Sequence, residues 1–184
     1  GVLAVSCSLA SRAGMPALHS GVDDPSRAGM PALHADVLSG VIERTLPNGL
    51  RIVVREDRSS PLVAIDVWVG AGSGRETGEE SGAAHFLEHM LFKGTAKRGP
   101  GEIDTAIEDL GALLNAGTTR DTSHFYTTVP AESLNLVVEV LADAIRNPAL
   151  NAKEMETERS VILDEIATAE SDPHARATEL LYRL

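Results

Sequence analysis

Hydrophobic and polar positions change their spacing along the chain, and the first clear pattern after residue 40 is that of β-strands. Residues 41–45 and 50–55 are rich in β-branched and apolar side chains. A Pro-Asn-Gly turn signal at residues 47–49 separates them, which predicts a β-hairpin. Residues 62–69 predict another strand, since one face collects four apolar side chains: Val63, Ile65, Val67 and Val69.

The pattern then changes to the 3.6-residue spacing that is typical of helices. The Gly-rich stretch 70–81 is not followed by a Lys-Ser/Thr pair, so it indicates a strand-to-helix connection rather than a phosphate loop. Residues 115–119 are polar and predict a loop, whereas residues 122–129 are rich in Thr and aromatic side chains and predict a strand. Helices are predicted at residues 82–93, 101–116, 131–146, 151–170 and from 174 onward.

The first 40 residues differ from the rest and are predicted to be a tail or linker, with one domain over residues 41–184. Residues 1–10 are apolar and small, which fits either the end of an export signal, with Cys7 in a lipobox-like position, or a disordered tail. The first interpretation implies a bacterial envelope, periplasmic or secreted protein, and the second a cytoplasmic one. Residues 11–19 recur letter for letter as 26–34, which indicates a duplicated linker whose two histidines, His19 and His34, are solvated.

Composition and charge exclude several classes of function and structure. The 184 residues are 43% hydrophobic and carry a net charge of −11, so the chain is long enough for a folded domain but lacks the basic face that nucleic acid requires. Its single cysteine excludes an internal disulfide. No stretch after residue 40 is long and apolar enough to predict a transmembrane span.

The chemistry is concentrated in His85, Glu88 and His89. On a helix these positions share one face, so the two imidazoles can clamp one Zn²⁺ while the carboxylate takes a proton from metal-bound water. Ser81 is predicted to cap this helix. Its other positions are apolar almost all round, which predicts a buried helix, and buried His and Glu side chains need partners that a metal would supply. The alternative without a function is a solvent-exposed helix face on which the His-x-x-Glu-His spacing arises by chance.

Two histidines do not complete a zinc site, because a third protein ligand is needed. Glu165 is an acidic position within an apolar stretch of the predicted helix 151–170 and is the best candidate on physical grounds. Spacing alone does not separate it from Glu158 or Asp164, and Cys7 is a poorer candidate because it lies in the tail.

These residues resemble the pitrilysin-like M16 zinc metallopeptidases, the family of insulin-degrading enzyme and the mitochondrial processing peptidase. The resemblance runs from about residue 41 to 184. It rests on the order of several separate segments: LPNGL at 46–50, HFLEHMLFKGT at 85–95, LNA at 114–116 with Thr118, Asn-Pro at 147–148, and the glutamates at 158 and 165. The inverted order His-x-x-Glu-His is the inverzincin motif.

The resemblance implies a role for each residue and a fold. It implies that His85, His89 and Glu165 bind one Zn²⁺, that Glu88 is the general base, and that Glu158 supports the site. The strand and loop around Asn115 and Ala116 then resemble the edge at which a peptide substrate adds as an extra strand. The implied fold is α+β, a mixed and mainly antiparallel sheet with helices packed on it, as in the LuxS and processing-peptidase metallohydrolases, and incomplete at the C-terminal end.

The predicted function is therefore a zinc-dependent endopeptidase that hydrolyses peptide bonds in peptides or small proteins. The family resemblance implies a second M16-like half or subunit as partner, so an isolated fragment is expected to cleave little. Two alternatives stay open: a non-catalytic partner subunit, and a lyase like LuxS, which uses the same motif with a cysteine ligand, here Cys7. His124 is interpreted as an ordinary strand residue and His174 as a solvated residue at a helix start.

Overall fold

The computed structural model describes residues 2–9 and 40–182, and its central feature is a six-stranded mixed sheet. In spatial order the strands are β2, β3, β1, β4, β6 and β5. All neighbours are antiparallel except β1 and β4, which are parallel. The strands are β1 (Val2–Leu9), β2 (Val41–Thr45), β3 (Arg51–Asp57), β4 (Leu62–Val69), β5 (Asn115–Thr118) and β6 (Ser123–Pro130).

The predicted hairpin is confirmed as β2 and β3, and its turn chemistry explains the tight connection. Gly49 has a φ of +88°, a conformation that glycine adopts without steric cost. The Asn48 side-chain oxygen accepts a hydrogen bond from the Leu50 backbone N–H at 3.1 Å. The register Ile42 to Val54 then follows, and β2 forms one edge of the sheet.

Strand β1 lies between β3 and β4, within the stretch that the sequence assigned to a tail. A short apolar run fits a strand with neighbours on both sides as well as it fits the end of an export signal. The repeat at 11–19 and 26–34, with His19 and His34, falls outside the described residues, as does the Cys7 side chain. The division at residue 40 remains a prediction.

Helices cover one face of the sheet and bury its apolar side, which confirms the predicted α+β class. The described helices are α1 (Ala83–Leu91), α2 (Glu102–Glu108), α3 (Leu134–Arg146), α4 (Ala152–Ser171) and α5 (Pro173–Tyr182). Two single turns of 3₁₀ helix, Ser73–Arg75 and Ala131–Ser133, join these elements. The core combines alternate residues of β4 and β6 with the inner faces of α2 and α3: Val63, Ile65, Phe125, Val129, Ile103, Ile107, Val137, Val140 and Leu141.

The prediction of one helix over residues 101–116 is wrong, because α2 ends at Glu108. Gly111 follows with a φ of +74°, a left-handed conformation that typically ends a helix. The chain then enters β5 at Asn115, so the predicted loop at 115–119 begins with a four-residue edge strand. This strand pairs with β6 and forms the other edge of the sheet.

Helix α4 connects the fold to the candidate site. The Asn151 side chain caps it by accepting from the Lys153 backbone N–H at 2.8 Å. Only Glu158 and Ile162 are buried along its 20 residues, and α4 contacts α1. Within the described residues, no helix combines the length and the apolar character that crossing a bilayer requires.

Candidate metal centre

Helix α1 carries the His-x-x-Glu-His motif, and a glutamate from the preceding loop fixes its start. The two Glu76 carboxylate oxygens accept from the backbone N–H groups of Gly82 and Ala84, each at 2.7 Å. The prediction that Ser81 caps this helix is wrong, since the cap residue is Gly82 and no side chain at that position caps it. A carboxylate satisfies two free N–H groups and also complements the positive end of the helix dipole.

The structure brings three of the predicted residues together. His85 and His89 lie one turn apart on α1, and their Nε2 atoms are 3.1 Å from each other. Glu165 reaches them from α4, with Oε2 at 3.6 Å from each of these two nitrogens. The three residues form a group whose ligand atoms can share one metal ion. Asp164, the neighbouring alternative, is not part of that group.

A buried glutamate orients His89. Glu158 Oε1 lies 2.8 Å from His89 Nδ1, and its other oxygen lies 2.7 Å from Lys93 Nζ. Burial tends to raise the pKa of Glu158, but the hydrogen bonds from Lys93 and His89 outweigh it and hold that pKa below its usual value. An ionised Glu158 accepts a hydrogen bond from the Nδ1–H of His89, which leaves the Nε2 lone pair facing the cluster.

The donor set fits a zinc ion. Zn–N distances of about 2.0–2.1 Å put the ligand atoms of a tetrahedral site about 3.3 Å apart, close to the 3.1 and 3.6 Å separations observed. With the His89 proton on Nδ1, the three facing atoms share at most one ring proton, on His85 Nε2, which can be donated to His89 Nε2 or to Glu165 Oε2. A cation satisfies all three atoms at once, as a structural hydrogen bond does not.

The prediction that α1 is buried all round is wrong. Only Met90 and Leu91 are buried, while Leu87 is 47% exposed. The His85 and Glu165 side chains are 39% and 48% exposed, whereas the His89 side chain is only 16% exposed. Among the described elements α1 packs on α4, β5, β6 and the 3₁₀ turn Ser73–Arg75, and the part-exposed His85 and Glu165 leave one side of the cluster facing solvent.

Glu88 lies beside the cluster but outside the ligand group. Its Oε2 accepts from the Thr118 hydroxyl of β5 at 2.5 Å. Glu88 and His89 line a small cleft together with Ala116 and Lys93. On its other side Glu88 borders an apolar cavity of about 170 Å³ that includes Leu87, Phe125 and Ile145. The carboxylate is thus held next to the metal ligands without being one.

The structure separates the two predicted substrate-binding residues. Side chains alternate along β5, so Ala116 faces α1 and shares the cleft with Glu88. Asn115 points to the other face and lines a different cleft with Tyr126. Its side chain donates weakly to the Leu113 carbonyl at 3.4 Å. Within the part of the chain that the structure describes, however, the backbone of β5 forms an edge of the sheet at both residues.

The remaining described histidines lie away from the cluster. His124 stacks between Trp68 and Tyr126 on the opposite face of the sheet, and its Nδ1 is 3.4 Å from Asp66. His174 is exposed near the start of α5. The sequence assigned no role to Glu76, Lys93 or Thr118, although Lys93 and Thr118 fall among the residues that match the family. Strand alternation with Ala116 is a further signal for Thr118.

A mixed sheet bearing an inverted His-x-x-Glu-His helix, with a distant glutamate added from a second helix, has the layout expected of an M16 metalloprotease domain. The chain belongs to the insulinase family, peptidase family M16, whose model matches residues 51–183. It is 39% identical over 144 residues to a probable mitochondrial-processing peptidase subunit beta of Arabidopsis thaliana, covering 75% of this chain. It is 41% identical over 135 residues to an uncharacterized zinc protease of Mycobacterium leprae, covering 73% of this chain.

Solved structures agree on the fold. A protease from Helicobacter pylori matches with a TM-score of 0.70 and 29% identity over 74% of this chain and 33% of its own. The periplasmic protease PqqL of Escherichia coli matches with a TM-score of 0.71 and 26% identity over 77% of this chain and 16% of its own. The chain spans only 27% and 30% of the two sequence relatives named above.

Proposed function

We propose that this chain carries the catalytic centre of a zinc endopeptidase. The observation that carries the proposal is the convergence of His85, His89 and Glu165, with Glu88 held beside them. The names of the relatives, zinc protease and mitochondrial-processing peptidase, support the same class of reaction. Two imidazoles and one carboxylate leave a fourth position open, which is the arrangement of catalytic rather than structural zinc sites.

A bound Zn²⁺ would acidify a water molecule and polarise the carbonyl of the scissile peptide bond. Glu88 takes the proton of the attacking water and then passes it to the leaving amine. Glu158 keeps His89 in the tautomer whose Nε2 faces the cluster, and Lys93 keeps Glu158 ionised. The half-exposed side of the cluster gives a peptide access to these groups.

The edge strand β5 is the proposed platform for the substrate. A peptide that pairs with the free backbone edge of Asn115 and Ala116 would extend the sheet by one strand. Ala116 lies in the cleft with Glu88, so such a peptide would pass the proposed base. The remainder of the substrate chamber is proposed to come from a second M16-like half or subunit. The first half of Escherichia coli PqqL, solved separately, offers a similar division.

The alternatives are weaker. A non-catalytic partner subunit has no need of a complete ligand set with a base beside it, and this chain holds both. A lyase of the LuxS type would need Cys7 as a ligand, whereas Glu165 already completes the group.

The experiment is Glu88→Gln in the complete gene product that contains this chain. Removing the base should lower peptide cleavage by about 100-fold or more, since a general base contributes ~10²–10⁴-fold. Zinc content, measured by mass spectrometry of the metal, should stay unchanged because Glu88 is not a ligand.

The matched control is Glu79→Gln, an exposed glutamate in the loop before α1, which should cleave like the wild type. Undiminished cleavage by Glu88→Gln would remove Glu88 as the base. A wild-type protein that hydrolyses peptides but contains no zinc would overturn the proposed class.

A further inference from the structure

A chain of hydroxyl groups runs from the proposed base into the sheet. Thr118 Oγ1 donates to Glu88 Oε2 at 2.5 Å. Ser123 Oγ lies 3.1 Å from Thr118 Oγ1 and 2.9 Å from the backbone carbonyl of Ala71, so the single Ser123 proton is shared between these two acceptors while the Thr118 proton goes to Glu88. Among the described residues, Thr118 is the side chain that holds this carboxylate in place.

Ser123, at the inner end of this series of hydroxyl groups, is held firmly by its surroundings. Ser123 is 7% exposed, and it is the direct strand partner of Thr118 across β5 and β6. Thr118 is β-branched, so its side chain has little torsional freedom once the strand is formed. Glu88, in contrast, has a flexible side chain that loses its fixed direction if the hydroxyl is absent. Fixed geometry is therefore imposed on Glu88 by the sheet rather than by its own helix.

Strand β5 thus has two tasks. Its backbone edge is the proposed platform for the peptide, and its Thr118 side chain contacts the base from the inner face. A peptide paired with β5 and the Glu88 carboxylate would have a fixed relative position, because the same four-residue strand holds both. Such fixed alignment of reacting groups accounts for a large share of enzymatic rate.

We propose that Thr118 is a positioning residue that holds the Glu88 carboxylate toward the attacking water, with Ser123 as its support. This inference rests on the proposed endopeptidase function. A hydroxyl donates as well as accepts, so Thr118 keeps its contact whether Glu88 is ionised or has taken up the water proton. The Thr118 side chain acts through its hydrogen bond to Glu88 rather than on a metal ligand.

The test compares Thr118→Val with Thr118→Ser in the complete, zinc-loaded gene product. Valine keeps the shape and β-branching of threonine but removes the hydroxyl, whereas serine keeps the hydroxyl. We expect kcat of Thr118→Val to fall by roughly 10–100-fold, with KM within about 2-fold, because positioning is lost and peptide binding is not. We expect Thr118→Ser to retain kcat within about 3-fold. Zinc content should be unchanged in both variants.

Two further variants serve as a control and as an independent test of the Thr118 role. Thr128→Val removes a hydroxyl from an exposed position of β6 and should behave like the wild type. Ser123→Ala removes the support of Thr118 and should lower kcat by about 3–10-fold. If Thr118→Val does not fold or loses zinc, the kcat of Ser123→Ala decides: a wild-type value overturns the proposal.

Other outcomes separate this inference from the proposed function. Wild-type kcat in Thr118→Val, or an equal loss in Thr118→Val and Thr118→Ser, contradicts the role of the hydroxyl. If Glu88→Gln is inactive while Thr118→Val is fully active, the endopeptidase proposal stands and only the positioning role falls. If Glu88→Gln is fully active, the proposed function itself falls.

Discussion

Two polar clusters in this chain differ in how their hydrogen-bonding atoms are matched. The first surrounds Asp143 on α3, which is 5% exposed. Its Oδ2 accepts from the Thr95 hydroxyl and from an Arg98 guanidinium N–H, both at 2.7 Å, and its Oδ1 accepts from the Asn147 amide at 3.0 Å. Every short contact in this cluster joins a donor to an acceptor.

The second is the candidate metal centre, where acceptor atoms outnumber the protons between them. The Nε2 atoms of His85 and His89 and Oε2 of Glu165 lie 3.1–3.6 Å apart. The Asp143 oxygens are satisfied by protein donors, whereas a single ring proton cannot satisfy all three facing atoms of the histidine cluster and a cation can. A matched cluster indicates a structural role, and a convergence with more acceptors than donors indicates a ligand site.

The electrostatics follow the same division. Hydrogen bonds from Thr95, Asn147 and Arg98 outweigh burial and hold the pKa of Asp143 below its usual value of 3.8. Thr95 also pairs with Pro148 in an isolated β-bridge, so the cluster joins the end of the α1 segment to the end of α3. This cluster therefore stabilises the scaffold, and removing a member should change folding but leave metal binding intact.

The largest effect is expected from Glu158→Gln, which alters the metal centre alone. A glutamine amide no longer favours the His89 tautomer with its proton on Nδ1, and it loses the charge that pairs with Lys93. Zinc affinity should fall by about 10–100-fold, the usual range for a residue that orients a ligand. Competition titration with a chromophoric chelator measures it.

Glu156→Gln is the matched control, since Glu156 is exposed on the same helix and contacts Arg159 instead. Its zinc affinity should equal that of the wild type. Equal affinities in Glu158→Gln and the wild type would show that the histidine cluster does not depend on its buried glutamate.

A smaller and opposite effect is expected from Asp143→Asn, which alters the matched cluster alone. At pH 7 the melting temperature should fall by about 5 °C, because the charge-assisted bonds to Arg98 and Thr95 are weakened. A depressed folded-state pKa contributes stability above the unfolded pKa, and that stability is lost as pH falls through the lower folded value. The difference between variant and wild type should therefore shrink below about pH 4.

Thermal melts at a series of pH values measure this effect, with Asp121→Asn in an exposed loop as the control. Zinc affinity of Asp143→Asn at pH 7 should match the wild type. A gap in melting temperature that stays constant down to pH 2, or a loss of zinc, would contradict the separation of the two clusters.

The sequence predicted the local part of the metal centre better than the long-range part. His85, Glu88 and His89 were identifiable because they share one helical face. Glu165 lies on another helix, and spacing alone left it equal to Asp164 until the family resemblance selected it. The sequence did not predict the ion pair between Arg98 and Asp143. Hydrophobic periodicity does not indicate which of the many charged side chains come into contact after folding.

The errors of the sequence analysis have physical causes. Helix α2 ends early because Gly111 adopts a left-handed conformation, which an apolar period does not reveal. The cap of α1 comes from Glu76, several residues upstream, rather than from the adjacent Ser81. Interpreting residues 115–119 as a loop concealed the alternation that turns Thr118 toward Glu88.

X-ray absorption at the zinc edge, on the zinc-loaded complete gene product, tests the central claim most directly. We expect a zinc coordination shell of two imidazole nitrogens, with oxygen atoms as the remaining ligands. The zinc spectrum should be lost in His89→Ala and unchanged in His174→Ala. A sulfur atom in the zinc shell, as Cys7 would supply, or an unchanged spectrum in His89→Ala would contradict the assignment of His85, His89 and Glu165.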